Sequence, residues 1–394
     1  MPIKSDNTKG NPYHDERNGE FTSKDGANSV SASTLFDTPD DFLKSFDVDN
    51  VDDFLNSLDS ESAEEKNGQK NISEKEWKDT LDSLITNKNK KSEFVQKLSE
   101  IYQKCPQDVQ NLIFYYFNAT KTPINIKGQK TQFVICMNGW GEVTRKEIFY
   151  CKNRVFSQGE DGEYSIEGLS AFVHEPFHGI DDFFDDASKN YVLSNKKTFK
   201  QTFESEIPST IEGKQKLFSD LMNDFENEAQ KNMIKNGFSQ EDYLLFKKIQ
   251  NKTLEKELTK QLNEEAKKVD KNNQDEVESF KQKVLAKLNQ VSEFKANFNS
   301  LMKIYKKTKE DFRPLSDISE SIDSFNKFTA QIGCGHGEKY WENGEKQIKE
   351  VFAEVAQSYA MMPKSLEYMQ KYFPKTIEAF KEILGGLNNG TRKE

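Results

Sequence analysis

Two histidines and a glutamate in one short segment could hold and use a metal ion. His174 and His178 lie four residues apart, and Glu175 directly follows the first of them. On an α-helix this spacing places both imidazoles on one face, where they can bind zinc, and it places a carboxylate beside the metal as a general base. The segment therefore predicts a zinc-dependent peptidase. The alternative is a surface helix that carries two histidines.

Histidine is rare in this chain of 394 residues. It occurs four times, and His14 lies in a polar N-terminal stretch, so only His174, His178 and His336 remain for a folded domain. Two of these three fall in the same motif. A catalytic zinc takes three protein ligands and keeps one position for water. Because no histidine closely follows His178, the third ligand must come from elsewhere in the chain.

The segment 346–359 supplies the best candidates for that ligand. Its apolar residues have helical spacing and predict a helix that packs inward: Ile348, Val351, Phe352, Val355 and Tyr359. Glu350 and Glu354 lie at the margin of this apolar face. The alternative is a simple ion pair between Lys346 and Glu350 on the solvated side of the helix.

These segments resemble the anthrax-lethal-factor type of zinc metallopeptidase. Residues 172–182, Phe-Val-His-Glu-Pro-Phe-His-Gly-Ile-Asp-Asp, are similar to that family's active-site helix, in which an aspartate pair follows the second histidine. Residues 350–354 resemble its second helix, whose first glutamate is the third zinc ligand. Residues 372–376 resemble its closing segment. The similarity lies in separated blocks and leaves the helical middle of the chain unmatched.

The resemblance implies roles for the matching residues. It makes His174, His178 and Glu350 the ligands of Zn²⁺, and it makes Glu175 the base that polarises the attacking water. Asp181 would lie beyond His178 on the same helix. There it could orient an imidazole from behind, as could Glu354, or it could be a plain surface residue.

The residue that stabilises the oxyanion stays open. In such enzymes a nearby tyrosine commonly assists the metal in this role. Tyr340 lies upstream of Glu350 in about the right region, but its spacing differs from the family's pattern. The role could fall to Tyr340, to His336 or to neither.

Pro176 lies between the two histidines and departs from an ideal helix. Inside a helix, proline removes one backbone hydrogen bond and its ring clashes with the preceding turn, at a cost of about 3 kcal/mol. Either the helix kinks at Pro176 or a new helix begins there. In the second case His174 would no longer share a face with His178, and the site would be lost.

Composition excludes several classes of protein. The hydrophobic fraction is 34% and the charged fraction 31%, which predicts much solvated helix, linker or tail rather than a single compact globule. The net charge of −10 argues against nucleic-acid binding. No apolar run approaches the about 20 residues that span a bilayer, and the N-terminus has no signal-peptide core. The four cysteines lack zinc-knuckle or redox spacing, so they are expected to be reduced packing residues.

The chain divides into four predicted segments. Residues 1–72 are polar, acidic and predicted to be disordered, with a near-repeat at 40–58 that could dock on a partner. Residues 73–213 are predicted to form two or three helices, a small antiparallel sheet with turns at Asn138-Gly139 and Asp161-Gly162, and the active-site helix. Residues 214–310 predict an inserted amphipathic helical arm. Residues 311–394 complete the catalytic domain with the third ligand.

The predicted fold is therefore α+β and predominantly helical, with a zincin-like catalytic domain. A sheet edge, either 133–137 or 147–150, would hold an extended protein substrate by strand addition. The predicted function is a zinc endopeptidase, as a bacterial effector or toxin that acts on a host protein or as an internal protease of the bacterial cytoplasm. The alternative is a non-enzymatic helical interaction protein with a degenerate protease site.

Overall fold

The computed structural model describes residues 14–15, 20–21, 71–88, 91–128, 130–137, 143–158, 164–251, 254–269, 273–336, 338–341 and 344–390. The predicted docking repeat at 40–58, most of the predicted disordered segment, and the predicted turns at Asn138-Gly139 and Asp161-Gly162 lie outside these residues. Glu74–Glu394 form one compact unit. In the N-terminal unit, His14–Asp15 pairs antiparallel with Glu20–Phe21.

The described strands are β1 His14–Asp15, β2 Glu20–Phe21, β3 Ile124–Ile126, β4 Gln132–Met137 and β5 Val143–Tyr150. The described helices are α1 Glu74–Leu84, α2 Lys91–Gln103, α3 Gln107–Thr120, α4 Lys152–Val155, α5 Ile166–Phe183, α6 Ala187–Asn190, α7 Phe199–Glu206, α8 Ile211–Lys235, α9 Gln240–Gln250, α10 Leu254–Ala266, α11 Gln274–Ile322, α12 Lys327–Ile332, α13 Glu338–Trp341, α14 Gly344–Met361, α15 Pro363–Tyr372 and α16 Pro374–Gly390. The prediction of a predominantly helical α+β chain is confirmed.

Three helices precede the sheet, as the apolar spacing between Trp77 and Phe117 predicts. The apolar positions of α1, α2 and α3 are buried and form one side of the core. Trp77 stacks on Tyr102 with ring centroids 4.7 Å apart, which fixes α1 against α2. Lys121 ends α3 in the left-handed conformation and turns the chain into β3.

The sheet lies ahead of α5, the helix that carries His174 and His178, as predicted, but it is mixed and not antiparallel. Its strand order is β3-β5-β4, with β3 parallel and β4 antiparallel to β5. The antiparallel prediction is wrong because β3 has only three residues, too few to show a strand period in the sequence. Ile148 and Phe149 pair with strands on both sides, so the predicted substrate edge at 147–150 is also wrong. In the described sheet β4 is an edge strand.

Residues 211–322 form four helices, α8 to α11. Side-chain caps begin three of them, at Thr210, Ser239 and Asn273. Helix α11 is 49 residues long and continues through Pro314, across the predicted boundary between the arm and the C-terminal segment. It continues because its last third is packed on the core, where Phe312 and Leu315 are fully buried.

The C-terminal helices enclose α5, the helix that carries His174 and His178. Helix α14 packs along α5, and the Phe177 and Phe352 rings lie 6.0 Å apart between them. Phe380 of α16 closes the same cluster at 5.4 Å from Phe352. The helix predicted at about 346–361 is thereby confirmed as α14. Within the described residues, no helix is both long and apolar enough to cross a membrane.

Candidate metal centre

Helix α5 presents both histidines of the motif on one face. It begins after Ser165, whose hydroxyl accepts a hydrogen bond from the Gly168 amide at 3.3 Å, and it runs unbroken to Phe183. The Nε2 atoms of His174 and His178 lie 3.1 Å apart. The opposite face of the helix is buried in the core and holds the orientation of the two imidazoles.

Helix α14 brings Glu350 to these histidines from a distant part of the chain. Its apolar face is buried against α5, and Glu350 at the margin of that face is 2% exposed. The carboxylate oxygens of Glu350 lie 3.3 Å from Nε2 of His174 and 3.4 Å from Nε2 of His178. The predicted convergence of the three residues is therefore present, and the cluster could hold a metal ion.

The spacing of the candidate ligand atoms suits a small cation. For metal–ligand bonds of about 2.0–2.1 Å, ligand atoms at the corners of a tetrahedron are separated by about 3.3–3.4 Å. The two imidazole nitrogens lie 3.1 Å apart, and His174 and His178 lie 3.3 Å and 3.4 Å from the two different oxygens of Glu350. A centre of this size suits two imidazole nitrogens and one carboxylate oxygen.

The charges of the cluster also call for a cation. Burial disfavours a charged His174, but the carboxylates of Glu350 and Glu354 outweigh it and raise the pKa of His174 to about 10. Burial likewise opposes ionisation of Glu350, yet His174 and His178 hold the pKa of this carboxyl well below its usual range. A proton on His174 therefore balances the carboxylates, and a bound cation would take its place.

Glu175 lies beside the ligands in a desolvated environment. It is 7% exposed, and the nearby backbone N–H of Phe133 on β4 favours its charged form. Burial raises the pKa of Glu175, although both histidines act in the opposite direction. The predicted base is thus held between the metal ligands and the edge strand of the sheet.

His336 and Tyr340 both reach the site, where they contact the third ligand. Nε2 of His336 lies 3.0 Å from one oxygen of Glu350, and the hydroxyl of Tyr340 donates to the other at 2.8 Å. The two rings stack with centroids 4.1 Å apart. The side chain of His336 is 31% exposed, so it also faces solvent. Burial and the negative Glu350 raise the pKa of Tyr340, which therefore stays a protonated donor.

The two residues predicted to orient an imidazole differ in placement. Glu354 lies behind His174, with an oxygen 3.5 Å from Nδ1, and the Gln357 amide donates to its other oxygen. Asp181 instead accepts hydrogen bonds from the backbone N–H and the hydroxyl of Ser188, at 2.6 and 3.1 Å. Asp181 therefore fixes the start of α6 to the end of α5.

Pro176 is accommodated within α5 by a residue that the sequence did not single out. Since proline has no N–H, the carbonyl of Phe172, four residues earlier, loses its helical donor. The buried hydroxyl of Tyr102 donates to this carbonyl at 3.0 Å. The only signal for this contact in the sequence is Pro176 itself, because it leaves an unpaired carbonyl that some donor must satisfy.

A cavity of about 530 Å³ opens beside the metal ligands. Its walls come from α5, α11, α14 and the turn after β5, and include Ser165, Arg313, Asp317 and Gln357 together with Glu175. Most of the lining residues have polar side chains, and polar and apolar atoms share the lining about equally. The cavity is large enough to receive side chains of a peptide next to the ligand cluster.

Comparison of the chain with protein-family models, with curated proteins and with solved structures finds no match. The geometry of the site is therefore the basis on which a function can be assigned.

Proposed function

We propose that the chain is a zinc-dependent endopeptidase that hydrolyses a protein substrate. The observation that carries the proposal is the convergence of His174, His178 and Glu350, whose candidate ligand atoms lie within 4.8 Å of one another, with the buried Glu175 next to His174 in the chain. Two imidazole nitrogens and one carboxylate are a ligand set typical of catalytic zinc, whereas Ca²⁺ and Mg²⁺ prefer oxygen ligands. When bound, Zn²⁺ supplies a Lewis acid that lowers the pKa of water to about 7.

Glu175 would act as general base and then as general acid. Its burial raises its pKa, so it can take a proton from the attacking water and hand that proton to the nitrogen of the leaving amine. Protons therefore move along one side of the site, between Glu175 and the scissile peptide.

His336 and Tyr340 would stabilise the negative charge that develops on the scissile carbonyl oxygen. Both lie within 3.0 Å of Glu350, which puts their donor atoms beside the ligand cluster. A donor fixed at this position is worth about 10²–10³-fold in turnover in other acyl-transfer sites. The substrate would lie along β4, an edge strand whose Phe133 already contacts Glu175.

The non-enzymatic alternative has less support. It supposes that Pro176 disables the site, but α5 continues through Pro176 and keeps both histidines on one face. Action as a bacterial effector or toxin on a host protein remains a prediction from the sequence.

The proposal is tested by metal analysis and by the sites of cleavage. Wild-type protein should carry about one zinc per chain, which His174→Ala and Glu350→Gln should lose and Glu175→Gln should keep. Glu175→Gln should also lower turnover by about 10²–10⁴-fold. Unbiased N-terminal proteomics of extract treated with each variant gives the cleaved proteins.

A matched control is Glu278→Gln, the same change at an exposed carboxylate of α11, which should retain both zinc and activity. Metal-free wild type, or equal cleavage by wild type and Glu175→Gln, would refute the proposal.

A further inference from the structure

Glu320, near the end of α11, is a buried carboxylate outside the ligand cluster. It is 1% exposed. One of its oxygens accepts a hydrogen bond from the backbone N–H of His336 at 2.5 Å and from the indole N–H of Trp341 at 2.9 Å. Burial of a carboxyl group is costly unless it is hydrogen-bonded, and these two bonds satisfy this oxygen.

The backbone next to His336 is shaped around this carboxylate. Gly335 has φ +142°, a conformation that favours glycine. A Cβ at Gly335 would lie 2.7 Å from both oxygens of Glu320. One turn earlier on α11, the hydroxyl of Ser316 donates to the carbonyl of Cys334 at 2.6 Å. Helix α11 therefore contacts Cys334, Gly335 and His336, which are consecutive in the chain.

The anchored residues, 334–336 and 338–341, carry two of the side chains that contact Glu350. The backbone of His336 is itself bound to Glu320, and Trp341 directly follows Tyr340. Between these two anchors, the imidazole of His336 and the hydroxyl of Tyr340 reach the two oxygens of the third ligand. A shift of the segment would move both donors together.

We propose that Glu320 is a positioning residue of the metal centre, which holds residues 334–336 and 338–341 so that His336 and Tyr340 orient Glu350 and face the reacting carbonyl. This inference rests on the proposed peptidase function for its catalytic part. Its structural part, the anchoring of the segment, is independent of any activity.

The test compares Glu320→Ala, Glu320→Gln and Ser316→Ala with wild type. Glu320→Ala should lower zinc affinity about 10-fold, because His336 and Tyr340 would lose their hydrogen bonds to Glu350. It should also lower kcat about 10-fold or more, with a smaller change in KM. Glu320→Gln keeps an acceptor of the same shape and should recover most of both losses. Ser316→Ala should act in the same direction but more weakly, and it keeps the proposal testable if Glu320→Ala does not fold. Glu278→Gln, an exposed change on the same helix, is the control.

Anchoring is measured separately from activity by the indole N–H resonances in the nuclear magnetic resonance spectrum of zinc-free protein. The chain has three tryptophans, and Trp341→Phe assigns the resonance of Trp341. Loss of the carboxylate in Glu320→Ala should shift this resonance, and Glu278→Gln should leave it unmoved. An unshifted Trp341 resonance in Glu320→Ala would overturn the anchoring. A shifted resonance with zinc affinity and kcat within about twofold of wild type would overturn the positioning role. Wild type without peptidase activity would refute the proposed function alone, because resonance and zinc affinity still report on Glu320.

Discussion

Removal of the Tyr102 hydroxyl should destabilise the chain through Pro176. In Tyr102→Phe the ring that stacks on Trp77 remains, and only the hydrogen bond to the carbonyl of Phe172 is lost. A buried acceptor left without a donor costs about 1–3 kcal/mol. We therefore expect the free energy of unfolding to fall by that amount, with no cavity to add to it.

The contribution of Pro176 is separated by a double-mutant cycle. Pro176→Ala restores an N–H four residues after Phe172, which can pair with the same carbonyl as in an ordinary helix. In the Pro176→Ala background, Tyr102→Phe should then cost less by at least about 1 kcal/mol. Urea unfolding of the four zinc-free proteins, followed by far-ultraviolet circular dichroism, gives the coupling energy. Equal costs of Tyr102→Phe in both backgrounds would refute the assignment of Tyr102 as the donor that replaces the missing N–H.

Three further predictions concern packing and pH. Gly179→Ala should destabilise by about 1–3 kcal/mol, because its Cβ would lie 2.2 Å from the hydroxyl oxygen of Tyr116; Tyr116→Phe should recover part of the loss in urea unfolding. Burial, with Glu228 and Glu310, raises the pKa of Asp311 to about 6, so folding favours its protonated form. The ionised Asp311 therefore destabilises the fold above pH 6, and this destabilisation disappears as the pH falls towards the unfolded pKa of 3.8. Asp311→Asn should thus stabilise the chain by about 1–3 kcal/mol at pH 7 and by little at pH 4, which unfolding curves at both pH values check. Burial raises the pKa of Glu175 in the metal-free protein, so the carboxyl resonance of Glu175 in zinc-free protein should titrate above pH 4.5; a midpoint at or below pH 4.5 would contradict this.

The helices around the site could be predicted because their apolar residues repeat at helical spacing. This holds for α5, which also carries the spaced histidines, and for α14, whose inward face places Glu350. Helix α15 was missed although Pro363 begins it, a position that proline favours. Helical spacing made Glu350 and Glu354 candidates for the third ligand, and the family resemblance selected Glu350.

Other features depend on contacts that no local pattern shows. The parallel pairing of β3 with β5 joins segments separated by another strand. Tyr102 and Glu320 look like ordinary helix residues until the fold brings Phe172 and His336 beside them. Pro314 would predict a helix end, yet tertiary burial of its neighbours carries α11 through it.

Helices α5 and α14, which carry His174, His178 and Glu350, lie far apart in the sequence. A metal ion bound between these helices would stabilise the native state, because the binding site exists only when both helices are packed together. By mass action, free metal at 100 times its dissociation constant would add about 2.7 kcal/mol to the stability of the fold. Removal of the metal by a chelator would lower the stability of the fold. The concentration of free metal would therefore affect how long the protein stays folded as well as its activity.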